Sequence, residues 1–307
     1  MLDAIRRNTV HRDLRSNAGM TNDLALPPIF LSHGSPMMAL EPRLAGAFMQ
    51  RLGPAIDAAF GRPRAIIALS AHSLSRQPVL LAAEHHAAVY DFGGFDPKLL
   101  TLRYDAPGAP ALAARVQALL TDAGIAANLV SAGGLDHGIW TPLRYAWPDA
   151  DIPVLPLAWV PTQGPAAQFA LGRALAPLAR AGVLVLGSGS ITHNLRRVFA
   201  GGLDAQAEQP EIAESAAFRQ WMQARSQARD WEALFAYRAQ APHAIDMHPS
   251  DEHLLPWYIA AGAGGREHAP LRLHDSAIYG SLGMDAYAFG TSAPALAAAL
   301  ADTTMAV

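Results

Sequence analysis

The sequence predicts an α/β fold, a single domain with a mostly parallel central sheet flanked by helices. Three observations predict it. Short, uniformly apolar runs recur, as strands buried on both faces require; Ala65-Ile66-Ile67-Ala68-Leu69-Ser70 and Val183-Leu184-Val185-Leu186-Gly187 are the clearest. Stretches with helical spacing separate the runs, the alternation of layered α/β chains. Histidine-bearing loops follow several of the runs, and in open α/β sheets ligands bind at the carboxyl ends of strands.

Composition narrows the function classes. The chain has 307 residues, 51% of them hydrophobic, enough for a sizeable core. No linker-like Pro/Ser run and no repeat at solenoid period divides it, so residues 27–307 are expected to form one domain. The net charge of −3 offers no basic field for nucleic acid or an anionic membrane. No apolar run reaches the roughly 18 residues of a membrane span, and a cytoplasmic location is expected. Cysteine is absent, which removes disulfides and thiolate metal sites. Any metal must be held by His, Asp or Glu, and there are 12 His, more than packing calls for.

Taken in order, residues 1–26 read as a poorly ordered polar tail. Arg6, Arg7, Arg12 and Arg15 would suit a transit peptide, but the stretch lacks a clear amphipathic period, and Met20 is an alternative start. Pro27 to Leu31 enters the fold as a strand and runs into Ser32-His33-Gly34. Residues 39–51 have helical spacing. The strand at 65–70 ends in Ala71-His72-Ser73, and 78–82 is a third strand. Residues 90–95, Tyr-Asp-Phe-Gly-Gly-Phe, form a glycine-hinged aromatic loop. A helix spans 109–124, and Leu135 to Trp140 is a loop before a short helix near Pro142. A strand at 152–157 and a helix at 165–181 precede the run at 183–187. Ser188-Gly189-Ser190 then breaks that strand into a tight loop ending at His193. Residues 203–245 suggest two outer helices. In the segment from His248 to His253, Ser250 reads as an N-cap, which places His253 in the first turns of an apolar helix ending near Ala263. One or two strands within 271–289 and an Ala-rich helix complete the chain.

Histidine placement carries the functional reading. His33 and His72 follow apolar strands within two or three residues, His193 follows another within about seven, and His253 opens a helix. Parallel strands would deliver the first three to one edge of the sheet. Any one of them alone reads as a hydrogen-bonded loop residue; together they read as a metal site at the strand C-terminal edge. Imidazole is the commonest protein metal ligand, and a site without Cys suits Zn, Fe, Cu or Ni. His137, beside an acid and a Trp, is a candidate for handling protons or substrate. His85 and His86 read as surface residues, because adjacent side chains on a strand diverge. His243, His268 and His274 have loop-like surroundings. His248 precedes Pro249, and its position favours a loop role.

At these residues the chain resembles the DOPA 4,5-dioxygenase (extradiol) family, of the class III, protocatechuate 4,5-dioxygenase beta-subunit type. The matching stretches are Ser32 to Met37, Ser70-Ala71-His72, Tyr90 to Phe95, Tyr104 to Gly108, Asp136 to Trp140, His193 to Arg196, Pro249 to Pro256 and Gly280 to Met284. They run in order over nearly the whole chain. The resemblance implies one α/β domain with one divalent metal, Zn(2+) or Fe(2+), and places the metal-site histidines on His33, His72, His193 and His253. Zinc is what family members are described with, whereas ring cleavage by O2 calls for Fe(II). Two departures stand out. Ser73 replaces the Trp usual after the second histidine, and 203–245 fits poorly.

The implied reaction is extradiol opening of a catechol-type ring with O2, so the expected partners are a small catechol and O2; an oligomer is possible. His33, His72 and His253 would hold the metal. His193 would complete its shell or act as the base that takes a catechol proton. His137 would hydrogen-bond substrate or bound oxygen, and Phe92, Phe95 and Trp140 would cover the ring. No carboxylate ligand is obvious. A zinc-dependent hydrolase built on the same histidines and a non-catalytic relative are the alternatives.

Overall fold

Residues 24–199 and 207–305 are described by the computed structural model of the chain. Its strands are β1 (Ile29–Ser32), β2 (Ala65–Ser70), β3 (Val79–Leu81), β4 (His85–His86), β5 (Ala106–Pro107), β6 (Asn128–Val130), β7 (Val154–Ala158), β8 (Val183–Gly189), β9 (Leu271–His274), β10 (Ala277–Ile278), β11 (Leu282–Gly283) and β12 (Ala286–Ala288). The helices are α1 (Arg43–Phe60), α2 (Pro110–Asp122), α3 (His137–Ala146), α4 (Pro165–Leu175), α5 (Leu195–Phe199), α6 (Ala213–Ala228), α7 (Trp231–Phe235), α8 (Tyr237–Gln240), α9 (Ala244–Met247), α10 (Leu255–Gly264) and α11 (Ala293–Met305).

Eight of these strands make one sheet in the order β6-β3-β7-β2-β8-β1-β12-β9. Its centre, β7-β2-β8-β1, is parallel, while β3 and β12 join it antiparallel. This is the expected mostly parallel sheet, and both faces are covered. Ile67, Leu69, Val183 and Val185 pack on the side of α2, α4 and α10. Ile66, Ala68, Leu184 and Leu186 face α1, α3 and α11. Alternation across a strand sends successive side chains to opposite cores, and two apolar cores explain why β2 and β8 are apolar throughout.

Several expectations need correction. Ser188 and Gly189 do not leave the strand. Ser188 pairs with Ser70 and Leu31, and Gly189 with Ser32; with a strand on each side, the ladder continues through both. The helix expected at 39–51 begins at Arg43 and continues through Pro54 to Phe60. Ser250 is not an N-cap. Helix α10 begins at Leu255 with Pro256 in its first turn, where proline is favoured, and the Ser250 hydroxyl donates to Glu252 instead. Residues 207–245 carry four helices rather than two outer ones. Phe218, Met222, Trp231, Leu234 and Tyr237 are buried in the core, so this region closes one face of the sheet. Residues 203–206 lie outside the described residues.

Residues 1–23 of the expected tail also lie outside them, with its arginines and Met20. Leu26 is buried and its N–H donates to the Ala179 carbonyl at 3.3 Å, so packing starts before Pro27. Of the paired histidines, His85 is exposed but His86 is buried; the two diverge as a strand requires, and only one reaches the surface. His274 ends β9 and stacks on Phe48 with centroids 4.9 Å apart. No helix among the described residues is long and apolar enough to cross a membrane.

Close approach of α10 to the sheet fixes the site. A Cβ on Gly187 or Gly189 would run into the backbone oxygens of Pro256 and His253. Glycine at both positions lets the first turn of α10 and the residues just before it lie directly on β8, and the Ser190 N–H donates to the His253 carbonyl at 2.8 Å.

Candidate metal centre

His33 leaves β1 and its N–H donates to the Gly189 carbonyl at 3.0 Å. Its ring Nδ1 lies 3.0 Å from the Ser188 hydroxyl, which itself donates to the Gly138 carbonyl. With the hydroxyl proton so placed, Ser188 accepts from Nδ1–H, and the His33 Nε2 keeps a bare lone pair. That Nε2 lies 3.1 Å from the Nε2 of His72, whose own Nδ1 faces the Asp91 carboxylate at 3.5 Å. When the His72 proton is on Nδ1, toward Asp91, both Nε2 atoms present lone pairs, which repel at this distance unless a cation lies between them. Imidazole nitrogens around one divalent ion, each about 2.0–2.1 Å from it, stand roughly 3.0–3.4 Å apart, so the pair has the spacing of shared ligands.

His137 opens α3 beside them. Its ring centroid is 4.1 Å from that of His72 and 5.2 Å from that of His33. Asp91 accepts from the His137 backbone N–H at 2.9 Å and from Nδ1 at 3.0 Å, which turns the remaining ring nitrogen away from the carboxylate. His253 completes the ring of histidines, with centroids 5.5 Å from His33 and 5.1 Å from His72. Its Nδ1 faces Glu252 at 3.2 Å. His193 stacks on it at 3.4 Å.

The four histidines matched to metal ligands therefore form two groups. Nitrogens of His33, His72 and His137 fall within 4.8 Å of one another, as do ligand atoms of His193, Glu252 and His253. All five rings line one cleft of about 650 Å³.

Burial, and then the mutual repulsion of the rings, holds His33 and His253 well below the ordinary histidine value. Burial likewise pushes His72 and His193 down to about 4. All four are neutral at pH 7 and present lone pairs, the form a metal needs. Burial alone would raise Asp91, but the hydrogen bonds from His137 outweigh it and hold the carboxyl below its usual range. The site is thus a set of neutral imidazoles oriented from behind by oxygen partners, an arrangement that fits a divalent cation.

Those oxygen partners were not legible as site residues. Asp91 sits inside the aromatic loop and Glu252 directly precedes His253, which in hindsight is the available signal. Asp136 accepts from Ser70 and Ser73, both at 2.6 Å, and burial raises its pKa. Ser73, the departure from the resembled family, is thereby a donor to a buried carboxylate behind the site.

Phe92 and Phe95 line the cleft as expected. Trp140 does not. It is fully buried behind Phe92, centroids 6.5 Å apart, and donates to the Val89 carbonyl, so it supports the wall rather than forming it. His248 lies in the loop between α9 and α10, as its position suggested, but it is not at the surface. It is fully buried, and its Nε2 donates to the Ile191 carbonyl at 2.7 Å. The chain folds back beneath the loop of His193 there, whose N–H donates to the Met247 carbonyl.

Known proteins share this chain's pattern along most of its length. A 4,5-DOPA dioxygenase extradiol of Beta vulgaris is 35% identical over 264 residues, covering 85% of this chain and 95% of that protein. Its namesake in Escherichia coli K12 is 40% identical over 173 residues, or 56% of this chain and 62% of that one. A crystal structure of an uncharacterized protein from Escherichia coli K12 superposes with a TM-score of 0.69 at 29% identity, covering 86% of this chain and 100% of that one. The family described as the catalytic LigB subunit of aromatic ring-opening dioxygenase matches residues 27–290. That span runs from the start of β1 past β12 and takes in all five histidines of the cleft, and the chain belongs to this LigB family.

Proposed function

We propose that the chain is an extradiol dioxygenase that opens the ring of a catechol-type substrate with O2. The observation that carries this reading is the convergence of neutral histidines on one cleft, with a 3.1 Å Nε2 pair at its base. Family membership supports the reaction type. We assign the metal to His33, His72 and His253, with His193 beside them as the fourth histidine of the site. A divalent metal held there would supply the Lewis-acid and redox chemistry that joining a catechol to O2 requires.

The chain's own groups do the rest. Phe92 and Phe95, perpendicular to each other with centroids 5.9 Å apart, offer an apolar wall to an aromatic ring. Asp91 fixes the ring of His137, and its negative charge stabilises that ring when it takes up a proton. His137 is therefore suited to accept a hydroxyl proton from the substrate and return it. His193, neutral and on the rim beside His253, either completes the metal shell or shares in this proton transfer. The buried Asp136 braces the turn that carries His72, because Ser70 donates to it and accepts from the His72 N–H.

The test is oxygen uptake and yellow ring-opened product from a panel of catechols, with protein purified and loaded with Fe(II) under anaerobic conditions. Stoichiometric O2 consumption with product is expected. Ester or amide hydrolysis that proceeds without oxygen, and no catechol turnover, would instead identify a zinc hydrolase.

A further inference from the structure

Beyond the histidines, the cleft is lined by the partly exposed Arg43, the sole Arg or Lys among its described lining residues. Resting on the catechol reading above, we propose that Arg43 is a specificity-determining residue that receives a carboxylate on the substrate's side chain while the ring occupies the histidine end.

Four observations support this. Arg43 and the histidines line one continuous cleft. The Arg43 partners are unequal. Glu41 holds one guanidinium nitrogen at 2.5 Å, whereas Glu208 touches the other at 3.3 Å and is 87% exposed. An ion pair so open to water contributes little and exchanges readily, so a substrate carboxylate would replace Glu208 on the same nitrogen at no loss of pairing. Arginine's planar fork suits this task, because it keeps Glu41 on one side and takes a second carboxylate on the other.

The remaining observations concern the backbone and its neighbour. Arg43 has φ +47° and Tyr279, which also lines the cleft, has φ +51°. A left-handed backbone is costly for side chains of this kind, and such strain concentrates at functional positions. It places two large polar side chains along one cleft. The acids there do not cancel the argument. Glu41 is already bound to Arg43, and Asp96 accepts the Lys98 backbone N–H at 2.8 Å.

The experiment measures binding to zinc-loaded protein, which does not turn over because zinc has no redox chemistry. The probes are 3-(3,4-dihydroxyphenyl)propanoate and its uncharged amide, equal in size and both catechols. Wild type should prefer the acid. Arg43→Gln should weaken the acid roughly ten-fold, the value of a charged hydrogen bond, and leave the amide unchanged. Arg43→Lys should restore part of the preference. An acid-to-amide ratio that is the same in wild type and Arg43→Gln overturns the assignment. Tight binding of both probes without any preference refutes Arg43 alone and leaves the catechol reading standing. A protein that binds neither probe refutes both.

Discussion

The imidazole of His193 lies flat on that of His253, centroids 3.4 Å apart and planes 6° apart. Their two backbones are cross-tied. Ser190 donates to the His253 carbonyl, and His193 donates to the Met247 carbonyl. Backbone pairing therefore holds the loop after β8 against the segment from the end of α9 to His253, and the stack follows from that pairing rather than from ring attraction alone. Both rings are neutral at pH 7, without which the stack would bring two positive charges together.

His33 and His72 should govern metal content. Their Nε2 atoms face each other at 3.1 Å, and removing one leaves a single lone pair at the base of the cleft. His33→Ala and His72→Ala are each expected to lose the bound ion during purification. Metal analysis of the isolated variants checks this, and wild-type stoichiometry in both would refute the assignment.

Fe(II) should support oxygen chemistry and Zn(II) should bind without supporting it, because zinc has no redox chemistry of its own. The comparison is O2 uptake by protein reconstituted with each ion. Equal oxygen-dependent turnover with zinc alone would contradict the expectation.

Asp91→Asn should lower kcat about 10–100-fold, the range for loss of an outer partner of a catalytic or ligating histidine. Asn retains an oxygen for the His137 N–H groups but removes the charge that stabilises a protonated ring. The fold should be unchanged, as checked by circular dichroism, and kcat is compared at saturating metal because Asp91 also faces the His72 Nδ1. A full wild-type kcat would show that His137 carries no proton.

How much of this was legible in the sequence follows from what each residue depends on. β2 and β8 were readable because burial on both faces leaves an unbroken apolar run. The histidines were readable because chemistry restricts ligands to few residue types. Asp91, Glu252 and Ser188 were not, since a carboxylate or hydroxyl in a loop looks the same whether it faces solvent or a ring nitrogen. Trp140 was misplaced by one layer, because proximity along the chain to His137 does not say which side of α3 faces the cleft. Ser188 and Gly189 were read as a loop because local propensity ignores the strands on either side. Residues 207–245 were read as outer helices because their polar majority hides the few residues, such as Phe218 and Tyr237, that enter the core.

Stability should fall on mild acidification, and His274 isolates the cause. Burial pushes its pKa down to about 4, although Asp275 opposes the shift. In the unfolded chain a histidine titrates near 6.5. Between these values the unfolded state binds a proton that the folded state does not, so ΔG of unfolding decreases as pH drops from about 6.5 to about 4, and it is insensitive to this group above pH 7. His274→Phe retains an aromatic ring against Phe48 and abolishes the titration. Melting temperatures of metal-free protein at pH 7 and pH 5 should differ less in this variant than in wild type. The paired comparison removes the opposite contribution of Asp136 and Asp285, carboxyls raised by burial. Equal pH dependence in the two proteins would contradict the shift.

His248→Ala and His253→Ala should fail in different ways. His253 presents its ring to the cleft, backed by Glu252, so its loss is expected to remove the metal with little change in the fold. His248 points elsewhere. Its Nε2–H is committed to the Ile191 carbonyl, and its ring lies between Phe218 and Tyr237, at 5.3 Å and 6.3 Å. The mild effect expected of a loop histidine does not apply to a side chain buried in this way. Truncation leaves a cavity and strands a buried carbonyl, which costs about 1–3 kcal/mol before the cavity is counted. His248→Ala should therefore retain stoichiometric metal at saturating concentration but melt several degrees lower. Metal titration and thermal denaturation of both variants at one pH separate the two outcomes. If His248→Ala lost the metal while His253→Ala kept it, the ligand assigned to this segment would have to move from His253 to His248.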